Sequence, residues 1–179
     1  MISLKSQRLK IKNLRKEDAL AYARLQNSEF VLRYNAMMAK DEKTAGTYLE
    51  ALANNDNALG IYLDDGTFIG EINIEEDSLR FGVHSVELSY WVGKPYARCG
   101  YMYEALSLVI SHLFSQNIQS ITARCFSVNE PSINLLRKLN FEKEGHLKAA
   151  ICGYQNIIFD DTLWSLTKEK WFGDEHDAD

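Results

Sequence analysis

The stretch SVELSYWV, residues 85–92, constrains this chain more than any other. In a strand the side chains alternate, so Glu87, Ser89 and Trp91 share one face and Leu88, Tyr90 and Val92 the other. Both faces carry large apolar groups, which suits a strand inside a sheet that is covered on both sides. The loop GKPYARCG follows, and then a segment with Met102, Ala105, Leu106, Val109, Ile110 and Leu113 at spacings of three and one. That spacing predicts a long helix with one apolar stripe. Gly100 stands just before it, either as a plain turn residue or as the point where a loop offers free helix-end amides to an anion.

The remaining periodicities surround this unit. Residues 3–12 alternate as a first strand, and KEDALAYARLQ leads acidic residues into an apolar-periodic helix. DEKTAGTYLEALANN reads as a second helix, weakened by Gly46 at about 1 kcal/mol relative to alanine. ALGIYLDDGTFIGEINIEE sets two β-rich runs around Asp64, Asp65 and Gly66, a hairpin signal. QSITARCFS predicts a strand, and NEPSINLLRKL a short helix with Pro131 in its first turn. FEKEGHLKAAI and IIFDDTLWSLTK predict two more strands about a turn at Gly153. This mixed order predicts an α/β (α+β) fold, a sheet covered by helices. The expected division is one domain over residues 1–170 and a short acidic tail over 171–179, with GDEHDAD too charged and too poor in large apolar groups to pack.

Composition narrows the function. With 179 residues, 46% of them hydrophobic, and only two prolines, the chain suffices for one well-buried core. A net charge of -5 opposes nonspecific binding to nucleic acid, which needs a basic surface. No apolar run approaches the roughly 20 residues of a membrane span, and MISLKSQRLK lacks the apolar core of a signal peptide, so no membrane partner and a cytoplasmic location are expected. Cys99, Cys125 and Cys152 form no C-x-x-C pair, and His84, His112, His146 and His176 share no ligand spacing. Neither a disulfide framework nor a metal site is expected.

In its order of motifs the chain resembles the GNAT acetyltransferase family, and within it the Rim-type N-terminal acetyltransferases of ribosomal proteins. The resemblance rests on Gln7-Arg8-Leu9, Leu14-Arg15, Phe68-Ile69-Gly70, Glu87 to Val92 and Tyr96. It continues through Gly100-Tyr101-Met102, Glu104-Ala105-Leu106, Asn129 to Ser132, Lys138 to Phe141, Glu144-Gly145 and Trp164-Ser165-Leu166. It implies a mixed, mostly antiparallel central sheet. It also implies an enzyme moving the acetyl group of acetyl-CoA, the co-substrate, to a primary amine, with no metal. The family's phosphate loop reads Gln/Arg-x-x-Gly-x-Gly/Ala. Here those positions are Ala97, Gly100 and Met102, so only the middle glycine is kept.

The resemblance implies roles residue by residue. The loop of Arg98, Cys99, Gly100, Tyr101, Met102 and Tyr103 would hold the pyrophosphate of coenzyme A, with Asn129 on the pantetheine or phosphate side. A backbone amide among Tyr90, Trp91 and Val92 would meet the negative charge developing on the acetyl oxygen. Many family members supply a proton to the leaving thiolate from a tyrosine where this chain has Leu136. Ser132 is the expected substitute, or else it caps its helix. Glu87 is the candidate base, acting through water, or else a surface or ion-paired glutamate; Glu71 and Tyr90 are further candidates.

The acceptor implied is a protein or peptide N-terminus, since an α-amino group near 8 loses its proton more readily than a lysine near 10.4. Polyamines or other small amines are the next class. By analogy, acceptor choice lies with residues 27–43 and the final hairpin near Gly153, and a homodimer is compatible. Two other readings are a coenzyme A-binding module without turnover and a cysteine-dependent acyl carrier or hydrolase using Cys99 or Cys125.

Overall fold

The structure is a computed structural model, and it describes residues 2–173. The run over residues 3–12 is two strands, β1 (Ser3–Lys5) and β2 (Leu9–Asn13), in place of the single strand expected. The break is chemical, not periodic: the Ser6 hydroxyl accepts from the amides of Leu9 (3.0 Å) and Arg8 (3.3 Å) and closes a turn. Helix α1 (Ala19–Gln26) follows a 3-10 turn at Lys16–Asp18. A four-residue helix, α2 (Glu29–Leu32), then occupies part of what reads in sequence as turn, being too short to show a period.

Helix α3 (Glu42–Leu52) is capped by Asp41, whose side chain accepts from the Thr44 amide at 2.7 Å. Gly46, the weak point of this helix, lies against α1: a side chain added there would come within 3.7 Å of the Ala19 Cβ. The hairpin of β3 (Ala58–Leu63) and β4 (Phe68–Glu76) turns as expected, with Gly66 at φ +91° and Asp65 accepting from the Thr67 amide. The rest is β5 (Ser85–Val92), α4 (Tyr101–Ser115), β6 (Ser120–Phe126), α5 (Glu130–Lys138), β7 (Glu142–Cys152), β8 (Ile158–Thr167) and α6 (Lys168–Phe172).

The eight strands form one sheet in the order β1-β2-β3-β4-β5-β6-β8-β7. All neighbours are antiparallel except β5 and β6. On one face α4 and α5 bury Leu9, Ile11, Leu88, Val109, Ile110 and Trp164. On the other, α1 and α3 bury Tyr22, Leu49, Phe68 and Trp91. The alternation of β5 thus feeds both cores, and all six stripe residues of α4 are buried. Helix α6 carries packing past the expected boundary at residue 170: Trp171 donates to the Ser111 hydroxyl at 3.1 Å, and Phe172 meets Phe114. Residues 174–179 of the expected tail lie outside the described residues.

Candidate active cleft

The cleft originates where β5 and β6 part. Their parallel pairing runs only from Ser85–Leu88 against Ser120–Ala123, whereas β6 stays paired to β8 as far as Phe126. The outer half of β5 is left with one ladder. Gly93, just past the strand, donates to the Ile69 carbonyl at 2.9 Å, which fixes the direction of the odd-numbered residues toward β4. By alternation, the backbone groups of Tyr90 and Val92 face the opening. The expectation that one amide among Tyr90, Trp91 and Val92 points there narrows to two, because the Trp91 amide belongs to the β4 ladder.

Two residues bend the loop into α4. Arg98 at φ +61° and Gly100 at φ +80° both take left-handed backbone, the second at no steric cost. The helix's first bond runs from the Glu104 amide to the Gly100 carbonyl (3.1 Å), so the amides of Tyr101, Met102 and Tyr103 have no intrahelical partner. Among the described residues no side chain caps them. Uncapped amides at the positive end of a fifteen-residue helix suit an anionic group.

These elements enclose a cavity of about 680 Å³. Tyr90, Trp91, Val92, Arg98, Gly100, Tyr101, Met102, Tyr103, Asn129 and Ser132 all line it. Two expected site residues do not. Cys99 is exposed, with its thiol beside the Ala97 carbonyl at 3.5 Å, and Glu87 sits further back along the Trp91 face of β5, outside the lining. Sequence reasoning missed Asn134, Leu135 and Lys138, which join Pro131 in the lining at helical spacing on α5; the signal was present but reads as an ordinary helix face. Lys138 also stands over the Tyr103 ring at 4.4 Å. Of residues 27–43, Phe30 and Val31 of α2 and Tyr34 and Asn35 after it also line the cavity.

Ser132 does not cap α5. That role belongs to Asn129, whose side chain accepts from the Ser132 amide at 3.3 Å. The Ser132 hydroxyl instead meets the Tyr90 hydroxyl at 2.8 Å. Burial pushes the Tyr90 phenol well above its ordinary range, against a small lowering by Ser132, and the neighbouring Cys125 adds to the rise. Tyr90 therefore keeps its proton at neutral pH. Cys125 is buried beside Thr162 (3.3 Å), and burial raises its thiol as well, so thiolate is scarce there. Leu136 is 1% exposed and belongs to the core.

The carboxylates divide by environment. Glu71 is fully buried and accepts from Tyr22 (3.0 Å), Tyr48 (3.0 Å) and the Trp91 indole (2.8 Å). Glu87 is half-buried. Burial raises it above the usual carboxylate range; Arg124 pulls it down, and Glu75, Asp77 and Asp161 push it further up. Among the described residues no group of three or more His, Cys, Asp or Glu side chains could hold a metal ion, and no helix is long and apolar enough to cross a membrane.

Comparison with known proteins places the chain in a family. The family described as "Acetyltransferase (GNAT) domain" matches residues 8–142. An uncharacterized N-acetyltransferase, YnaD, of Bacillus subtilis (strain 168) is 30% identical over 113 residues, 62% of this chain and 64% of that protein. The [ribosomal protein uS5]-alanine N-acetyltransferase of Escherichia coli (strain K12) is 35% identical over 109 residues, 60% of this chain and 55% of that one. The matched region thus spans less than two thirds of these relatives' own length. The crystal structure of a GNAT-family acetyltransferase from Bacillus anthracis superposes with a TM-score of 0.84 at 21% identity, covering 94% of this chain and 99% of that one. The family match and the fold agree, and the chain belongs to the GNAT acetyltransferase family.

Proposed function

We propose that this chain is an acetyl-CoA-dependent N-acetyltransferase whose acceptor is a primary amine, with a protein or peptide N-terminus first and polyamines or other small amines next. The observation that carries the reading is one continuous cavity. It joins the uncapped amides of Tyr101, Met102 and Tyr103 to the Tyr90–Ser132 hydroxyl pair along the open edge of β5. The left-handed turn at Gly100 and the charge of Arg98 fit a pyrophosphate, and they do so without the first or last residue of the family's loop pattern. Acetyl-CoA, when bound, supplies the acetyl group as a thioester.

The chain's own groups then divide the work. The Tyr90 or Val92 amide, aimed into the opening, stabilises charge developing on the acetyl oxygen. Tyr90 donates its proton to the Ser132 oxygen, which leaves the serine's own proton directed at the departing sulfur. Asn129 caps α5 and so holds Ser132 in place. Phe30, Tyr34 and Asn35 receive the acceptor. Glu87, further back along the Trp91 face of β5, takes the amine's proton through water, and the acidic groups around it favour a cationic acceptor.

Glu87→Gln therefore lowers kcat/KM by about tenfold or more. Because the raised carboxyl must be ionised to accept a proton, wild-type activity falls as pH drops through a value above the ordinary carboxylate range; the variant loses that limb. A pH profile of kcat/KM checks both, and a Glu87→Gln profile matching wild type would remove the role.

Free-thiol release from acetyl-CoA, measured against N-terminal peptides, lysine peptides, polyamines and aminoglycosides, tests the activity. Sustained release, strongest with N-terminal peptides, is expected. Tight acetyl-CoA binding with no release across the panel would instead favour a binding module. That second reading rests on Ala97 in the phosphate loop and on the buried Leu136.

A further inference from the structure

Besides its local turn bonds, the loop before α4 is held by a residue far away in sequence. Arg8, in the turn between β1 and β2, reaches across to it with every part of its guanidinium. Its Nε and Nη2 reach the Glu104 carboxylate at 2.7 and 2.5 Å, and its Nη1 donates to the Cys99 carbonyl at 3.1 Å. Its Cζ lies over the Tyr101 ring, 4.7 Å from the centre. Ser6, from the same turn, donates to the other Glu104 oxygen at 2.5 Å. One short turn thus fastens the residues on both sides of Gly100.

We infer that Arg8 is a positioning residue for the coenzyme's phosphates, aiming the Gly100 amide into the cleft and neutralising the carboxylate of Glu104 beside it; this rests on the coenzyme reading above. Two physical arguments carry it. In a trans peptide the C=O and the following N–H point opposite ways. Drawing the Cys99 carbonyl toward Arg8 therefore turns the Gly100 N–H the other way, and Gly100 lines the cleft. The second argument is charge. Glu104 sits in the first turn of α4, where an anion is favourable to the bare helix but repels a second anion arriving at the same end. Partial burial would raise Glu104, yet the bonds from Ser6 and Arg8 hold it below the usual carboxylate range, so it is ionised and needs a counter-charge. A planar fork that meets a carboxylate and a carbonyl while stacking on a ring is a task for arginine, not lysine.

The test compares acetyl-CoA with S-acetylpantetheine, which has the same thioester but no pyrophosphate. Arg8→Gln raises KM for acetyl-CoA about tenfold with kcat little changed, because the lost interaction is uniform binding. It leaves kcat/KM for S-acetylpantetheine unaltered. Arg8→Lys restores only part of the loss, and Arg8→Gln combined with Glu104→Gln recovers affinity relative to Arg8→Gln alone, since the unmasked charge is gone. An equal loss with both donors would overturn the inference by showing general damage, and an unchanged KM for acetyl-CoA would overturn it by showing no role. If the wild type used neither donor, the coenzyme reading itself would fall and this inference with it.

Discussion

Tyr90→Phe lowers kcat for acetyl transfer on the order of 10²-fold, and Ser132→Ala does so at least as strongly, while acetyl-CoA binding stays close to wild type. The two hydroxyls are 2.8 Å apart and Tyr90 is held protonated by burial, so in the proposed arrangement Tyr90 supports the sulfur through Ser132. They act as a unit, so the double variant is expected to lose about as much as Ser132→Ala alone, not the product of the two. Single-turnover rates at saturating acceptor, with calorimetric acetyl-CoA affinities, measure this. Multiplicative losses would show independent roles. A Ser132→Ala enzyme at wild-type rate would show that the leaving thiolate finds its proton elsewhere.

Glu71→Leu costs about 3–6 kcal/mol of folding stability, a large share of the roughly 5–15 kcal/mol a domain possesses. The carboxylate is the common acceptor for Tyr22, Tyr48 and Trp91, and its removal strands the buried donors of Tyr22 and Trp91, while Tyr48 is only half-buried. These three come from α1, α3 and β5, so the loss loosens the α1–α3 layer against the sheet. Burial is the first cause that pushes the Tyr22 and Tyr48 phenols upward, and it persists without Glu71, so neither ionises to compensate. Glu71→Gln keeps one acceptor oxygen and should fall between. Urea unfolding of the three proteins checks the order. A Glu71→Leu protein within about 1 kcal/mol of wild type would mean that the network is not a support for this layer. Glu71 was also a candidate base; a fully buried carboxylate with three donors serves the fold instead.

What was legible in the sequence is what local pattern controls. The two-faced apolarity of β5, the Asp-Asp-Gly hairpin, the stripe of α4 and Pro131 at the head of α5 each reflect neighbours within a few residues, and each element stands where the pattern put it. The break at Ser6 was not legible, because a serine hydroxyl closing a turn leaves no trace in periodicity. Helix α2 was too short to show a period, and the packing of Trp171 and Phe172 follows from what they meet in space. The same distinction holds at the site. Tyr90 and Ser132 were named separately, but their contact spans 42 residues. The parting of β5 from β6, which creates the cleft, depends on β6 following β8. Cys99 belongs to the loop by sequence, but the bond of its carbonyl to Arg8, 91 residues away, leaves no trace in local pattern.

The measurement that bears most directly on the account is a crystal structure with acetyl-CoA bound. The expected result has the pyrophosphate on the amides between Arg98 and Tyr103, the acetyl oxygen at the Tyr90 or Val92 amide, and the sulfur within hydrogen-bond reach of the Ser132 hydroxyl. Coenzyme seated away from the gap between β5 and β6, or a sulfur remote from Ser132 with the pyrophosphate in place, would contradict it.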